Sequence, residues 1–322
     1  MFLIDEIIDP YLCNTSELIT AKSHLIDRFV PECELVQLPE RSIGGGRLTV
    51  RLQKRRSSPY RPMNRVAAAA SRVLNRETAH SEIEGYVIDF RTHHPDNWAH
   101  ALNNHLPLLF HILDSLGSDV SDNLSILLPA DIPGYITDAF RFFGFSVIES
   151  NQEIGAEFVD YDMTPWIGMR AIRHEWVAKA AIDNPVLESL LDARLVYPEK
   201  IFISRRDTRR LINQKPIEAY LAKLGYKTIY PEEHSMEDQF GLITTAREIV
   251  AIHGAAIAPL LYRRHTPGSF QLIELLPVGH MTNVYRVMTQ QVGGRWIGVR
   301  GRISADHARL AYDFSQPFTK FS

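Results

Sequence analysis

From Glu84 onward the chain alternates between two hydrophobic periods, and this alternation constrains its fold more than any other feature. Tyr86 to Phe90 is a run of β-branched and aromatic residues, and a polar turn through His93, His94 and Pro95 follows it. Trp98 to Leu116 then places Trp98, Leu102, Leu106, Leu109, Ile112, Leu113 and Leu116 at helical spacing. Ser125 to Pro129 reads as a strand, Ile132 to Phe143 as a helix stopped by Gly144, and Ser146 to Ile148 as a third strand. The pattern restarts after Tyr197. Strands are predicted at Lys200 to Ser204, Lys227 to Tyr230, Glu248 to Ile252 and Gln271 to Leu275. Helices are predicted at Pro216 to Leu224, at Ser235 to Ala246, and from the His253–Gly254 turn to Leu261. Strands that alternate with helices pair in parallel beneath helical layers, so the predicted fold class is α/β with two doubly wound domains.

A chain of 322 residues exceeds what one hydrophobic core usually organises, which agrees with two domains. Residues 1–165 are assigned to a first domain, 166–196 to an inter-domain helical connection and 197–295 to a second domain. Residues 296–322, with Trp296, Tyr312 and Phe314, are assigned to a tail that packs back on the first domain. Ile43 to Gly46 and Lys54 to Asn64 read as turns or loops, so the basic cluster Arg51, Lys54, Arg55 and Arg56 is expected on a solvated loop.

The balance of 35 Lys and Arg against 38 Asp and Glu leaves a net charge of −3, which argues against nucleic acid as a partner. Two cysteines, Cys13 and Cys33, do not make a disulfide framework. Met1 to Pro10 lacks the basic and apolar regions of a secretory signal, and no stretch approaches the roughly 20 apolar residues of a membrane span. A cytoplasmic location is expected, with peripheral association at the inner face of a membrane left open. The 13 histidines show no helical ligand pair with a third ligand. Asp160-Tyr161-Asp162 has the spacing of a chelating carboxylate pair but falls in the predicted inter-domain stretch, as a loop, so no metal is expected. No G-x-G-x-x-G follows any strand, which argues against a nicotinamide or flavin cofactor, and none is expected.

Two segments carry the candidate chemistry. Ile249 to Leu261 (IVAIHGAAIAPLL) delivers His253 and Gly254 to the carboxyl end of a buried strand, where ligands of open α/β sheets bind. The small residues Gly254, Ala255 and Ala256 let a helix begin there, and its unpaired N–H groups suit a diphosphate. A tight turn with a packing histidine has the same spacing. Ile201 to Leu211 (IFISRRDTRRL) places Ser204, Arg205 and Arg206 after another strand, where guanidinium forks match phosphate oxygens. The alternative is that these arginines pair with Asp207 and Glu218 on a solvated helix. Glu274 ends the next strand and is a candidate acceptor for a ribose or sugar hydroxyl.

The order ISRRDTRR, KLGYKTIYPEEHSMEDQFGLITTAREIV, AIHGAAIAPLLY and LIELLP resembles the C-terminal region of glycosyltransferase family 61, and NWAHALNNHLPLLFHI is similar to its N-terminal helix. The resemblance covers about residues 85 to 280. It implies a GT-B fold, two Rossmann-like domains facing across a cleft, and inversion at the anomeric carbon without a required metal. It implies a nucleotide-sugar donor, with UDP-sugar as the guess, whose diphosphate meets Arg205, Arg206, His253, Gly254 and Ala255. It also implies a glycan acceptor, as in polysaccharide biosynthesis, and puts His100 on the cleft side of the first domain. The family often has an acidic residue four positions beyond that histidine, and this chain has Asn104. An amide cannot act as a general base, so His100 or Asp96 is the expected catalytic base. The alternative is a binding module, for a nucleotide-sugar or another polyanion, that has lost its base.

Overall fold

The computed structural model describes residues 2–21, 33–60, 81–92, 94–116, 118–164, 174–191, 197–206, 211, 213–276 and 282–300. The chain divides into two compact units, neither of which is continuous in sequence. The first comprises Met1–Tyr11 and Gly44–Ser189, and the second Leu12–Ile43 and Leu190–Ser322.

Strands β2 (Tyr11–Cys13) and β5 (Arg41–Ile43) pair in a two-stranded sheet, and the first unit is built on a six-stranded one. The strands are β1 (Phe2–Ile8), β6 (Gly46–Arg56), β10 (Ile154–Thr164), β7 (Ser81–Asp89), β8 (Leu124–Leu128) and β9 (Ser146–Glu149), in that spatial order. The strands predicted from 86, 125 and 146 are parallel neighbours, and β10 runs parallel to β7 on its other side. The order therefore reverses between β10 and β7. Val87, Leu127, Ile154, Ala156 and Phe158 form a buried core cluster along these strands. The predicted helix from Trp98 is present, as one α turn (Trp98–His100), a π turn (Ala101–His105) and α1 (Leu106–Ser115).

Two expectations fail here. The basic cluster Arg51 to Arg56 lies on β6, an eleven-residue strand, and Asp160-Tyr161-Asp162 lies on β10 rather than in a loop. The cause is long antiparallel pairing, which runs from Gly155 opposite Arg56 to Thr164 opposite Arg47. Arg55 crosses the Phe158 ring at 4.0 Å to reach Asp160 at 2.6 Å, so that carboxylate is engaged by an arginine. The expected connection is also part of this unit. Its helices, His174–Ala180 and Pro185–Leu191, belong largely to the first body, and Trp176 stacks on His111 at 4.3 Å.

The second unit carries a seven-stranded sheet in the order β12 (Lys227–Ile229), β11 (Lys200–Ile203), β13 (Glu248–Ile252), β14 (Gln271–Leu276), β15 (Arg295–Arg300), β3 (Ser16–Ala21) and β4 (Cys33–Leu38). All neighbours are parallel except β3 and β4. The predicted strands and helices from 200 to 276 are all present, and Ser235 caps its helix, Met236–Thr245, by accepting from Asp238 N–H. Phe202, Leu221, Tyr226, Val250 and Ile252 form a core cluster.

The second unit also takes in a segment from the N-terminal part of the chain. Residues 12–43 pair with the C-terminal half because β3 extends its sheet beside β15, from Ile297 opposite Glu17 to Arg300 opposite Thr20. Trp296 accordingly sits in the second unit's own sheet. Tyr312 and Phe314 lie outside the described residues, as do Asp207, Arg209 and Arg210. Among the described residues no helix is long and apolar enough to cross a membrane.

Candidate functional site

In the second unit the chain passes from β11 outward to β12 and returns to β13 on the other side of β11. The strand order thus reverses between β11 and β13. Open α/β sheets bind ligands outside the carboxyl ends of the strands at such a reversal, where the loops diverge and leave a crevice. The two strand ends at this point carry Ser204-Arg205-Arg206 and His253-Gly254.

Arg205 meets Gly254 directly. A methyl group on that glycine would stand 2.8 Å from the arginine Cζ and 2.8 to 2.9 Å from its terminal nitrogens, so the missing side chain is the arginine's seat. Tyr285, from the helix Val284–Gln291, donates from its hydroxyl to the Gly254 carbonyl at 2.8 Å and sets its ring edge-on to His253. Ala255 and Ala256 begin a 3-10 helix (Ala255–Tyr262) instead of an α-helix, and Ile257 N–H closes its first turn onto the Gly254 carbonyl at 3.1 Å. These two alanines are half-buried, whereas the residues before and after them are buried.

His253 is held from within the protein. Its Nδ1 lies 2.5 Å from Glu274 Oε1, and Trp296 Nε1 donates to Glu274 Oε2 at 2.7 Å. Glu274, the expected acceptor for a ribose or sugar hydroxyl, is 0% exposed. Both of its oxygens are committed inside the protein.

The residues at the end of β11 divide similarly. Ser204 is fully buried and donates to Glu218 at 2.8 Å, a bond that ties the end of β11 to the following helix. Glu218 also accepts from Tyr230 Oη at 2.7 Å and Gln214 Nε2 at 2.9 Å, and Gln214 donates in addition to the Arg205 carbonyl. Desolvation pushes the Glu218 carboxyl up, but the hydrogen bonds from Tyr230, Ser204 and Gln214, with the charge of Lys215, outweigh it and hold the group below its ordinary range. Arg206 turns to Glu232 and Glu233 and stacks 4.1 Å over Tyr230, so it is spent on acids of its own unit. Of the two arginines, Arg205 is the one the structure places at the His253–Gly254 turn.

In the first unit the corresponding reversal lies beside the carboxyl end of β7. Asn97 caps the helix start by accepting from Ala99 N–H and His100 N–H, and the π turn follows at once. Asn104 Nδ2 stands 3.1 Å from His100 Nδ1, which makes position 104 the partner of that imidazole. The His94 ring lies 5.0 Å from that of His100, and His94 takes φ 52°, a left-handed conformation uncommon outside glycine. Asp96 occupies the exposed turn just before the cap. Asn103 is fully buried on the π turn, and His105 stacks on Phe90 at 4.6 Å. A π turn inserts one extra residue into a helix and is frequent at functional sites.

Trp296, Tyr285, Glu218 and Tyr230, which make these contacts, belong to no motif in the sequence. Their signals were weak, because a lone aromatic or acid at the end of an element has no spacing that announces a partner in another strand. Among the described residues no group of three or more His, Cys, Asp or Glu side chains could hold a metal ion.

The family model described as Glycosyltransferase 61 matches residues 23–268 of the chain. A beta-1,2-xylosyltransferase, XAX1 of Oryza sativa subsp. japonica, is 26% identical over 124 residues. That match spans 34% of this chain and 21% of the rice protein.

Proposed function

The chain belongs to glycosyltransferase family 61, and from that premise we propose that it transfers a sugar from a nucleotide-sugar to a hydroxyl group of a glycan. The observation that carries the donor half of this reading is the seating of Arg205 on Gly254 at the strand reversal of the second unit. A cation that stays ionised when desolvated and a turn of small residues are what a diphosphate requires. A pentose is a reasonable sugar, since the rice relative is described as a xylosyltransferase, and UDP is the nucleotide we would test first. The family reading implies a GT-B fold, transfer with inversion and no required metal.

In such a transfer the acceptor oxygen bonds to the anomeric carbon as the bond to the diphosphate breaks, and a base takes the acceptor's proton. Positive character gathers on the sugar and negative charge on the departing phosphate. Groups fixed in advance around that phosphate lower the barrier because they need not reorganise as the charge develops. Arg205, the imidazole of His253 and the backbone at Gly254, Ala255 and Ala256 supply this role in our reading. His100 is the base in the first unit, with Asp96 as the other carrier for that proton.

The test is calorimetric titration of UDP and other nucleoside diphosphates, without divalent metal, into wild type and Arg205→Ala. Binding to the wild type that falls at least about tenfold in the variant supports the donor site. A folded wild type that binds none of them refutes the reading. A second reading rests on the Asn104–His100 pair: an amide cannot share a proton with the base as a carboxylate does, and on this reading the chain grips the donor without turnover. Binding of UDP with no transfer or hydrolysis of UDP-sugars would favour it.

A further inference from the structure

Glu274 sits in β14 between two residues that give it room. Its register partners are Ala251 on β13 and Gly298 on β15. Ala251 is small, and His253, one residue past the end of β13, brings its ring to the carboxylate. On the other side Gly298 has no side chain, and the Trp296 ring lies in that space. A methyl group on Gly298 would come within 2.4 Å of the indole Cη2. The three side chains form a line across adjacent strands, from indole N–H to carboxylate to imidazole, with exposures of 3%, 0% and 6%. The line begins on residues beyond the span that the family model matches.

A carboxylate removed from water is expensive unless hydrogen-bond donors occupy its oxygens, and here each oxygen has one. With Glu274 taken as a carboxylate that accepts at both oxygens, Nδ1 of His253 carries the proton between the two. The Trp296 bond limits how far Glu274 can rotate, and Glu274 limits how far the imidazole can. The Tyr285 ring, edge-on to His253, closes another side. Nε2 is the ring nitrogen that our reading of the turn directs to the donor.

We infer that Trp296 and Glu274 are positioning residues for His253, fixing its tautomer and direction for contact with an oxygen of the donor diphosphate. The inference rests on the reading of the His253–Gly254 turn as the diphosphate site. Neither Trp296 nor Glu274 touches the donor.

The test uses Trp296→Phe, which keeps the aromatic packing over Gly298 and removes the N–H, and Glu274→Gln, which keeps shape and removes charge. UDP affinity is read by calorimetry, and the His253 ring by nitrogen and proton resonances in histidine-labelled full-length protein, assigned through His253→Ala. In wild type the His253 Nδ1 proton is expected strongly downfield, as in a short bond to a carboxylate. In both variants it moves upfield while UDP affinity falls on the order of tenfold. Wild-type UDP affinity in a folded Trp296→Phe or Glu274→Gln protein, with His253→Ala weakened, overturns the positioning role and leaves the diphosphate reading standing. Wild-type affinity in His253→Ala itself removes that histidine from the diphosphate site, and the inference falls with it. If Trp296→Phe does not fold, Glu274→Gln decides alone, and the His253 resonance of wild type is a third reading that needs no variant. A wild-type His253 protonated on Nε2 and bare on Nδ1 also overturns the proposal.

Discussion

The guanidinium of Arg205 occupies the volume in which a side chain at residue 254 would begin. Gly254→Ala is therefore a substitution that acts on a neighbour. Its methyl group must displace the far end of a flexible side chain, which costs little stability, although φ 158° is also rarely adopted by residues with a Cβ. The expected result is a loss of UDP affinity of at least about tenfold, with a fall in Tm of only a few degrees. Calorimetry beside a melting curve separates the two effects. Undiminished affinity would mean that the Arg205 seat has no part in the donor site.

Glu218 makes a prediction in pH. Its carboxyl is held below the ordinary value of 4.5, with desolvation outweighed by hydrogen bonds from Tyr230, Ser204 and Gln214. A carboxyl depressed in the folded state contributes stability that is complete above its unfolded pKa and lost as pH falls through the folded one. Glu218→Gln should thus melt below wild type near neutral pH, and the gap should narrow once the pH drops under 4.5. A gap that stayed constant from pH 7 to pH 3 would show that the carboxylate charge is not what organises this corner.

Arg286 explains how a segment remote in sequence is held in the second unit. It is 5% exposed and donates to the Ser16 hydroxyl at 3.0 Å, to the Pro39 carbonyl at 2.7 Å and to the Asn14 carbonyl. Arg286→Leu removes all three bonds and should cost about 2–4 kcal/mol, since hydrogen bonds to a charged group are worth more than neutral ones. Amide exchange in β3 and β4 should accelerate more than in β11 and β13. Cys13 offers a second reporter. It is fully buried, burial pushes its thiol pKa up, and its alkylation, followed by peptide mass, should quicken in the variant. Uniform exchange across the whole sheet would contradict a local clamp.

The parallel strands and their helices were legible because burial on both faces writes β-branched runs, and amphipathic helices write a 3.6-residue period. The segments at the carboxyl ends of β11 and β13 were legible for the same reason. Which residue of each segment faces a ligand was not. Ser204, Arg205 and Arg206 are adjacent in sequence, and no local pattern foretells that the first bonds Glu218, the second lies against Gly254 and the third pairs with Glu233. β3 and β4 were illegible as members of the second unit because β3's partner strand, β15, begins at Arg295, and no local period encodes a contact across such a distance. β10 is hidden in the sequence because its antiparallel partner β6 lies far from it along the chain, with Asp160 opposite Arg51 and Asp162 opposite Thr49.

The last prediction concerns the first unit. Asn104 meets His100 side chain to side chain at 3.1 Å, and it is buried. Asn104→Asp puts a carboxylate where the family often carries an acid. A negative charge at hydrogen-bond distance favours the imidazolium, so the His100 pKa should be higher in the variant than in wild type, as followed by its ring proton shifts between pH 5 and 9. The sign for catalysis follows. A base must be unprotonated to act, so the acid limb of the pH–rate profile moves to higher pH, while the stronger base raises the rate on the plateau by about ten- to a hundredfold. Burying the new carboxylate costs stability, and a lower Tm is expected alongside the gain. If the His100 shifts follow the prediction but the pH–rate profile does not move, another group takes the acceptor proton. Asp96, on the turn beside the helix start, is then the residue to replace.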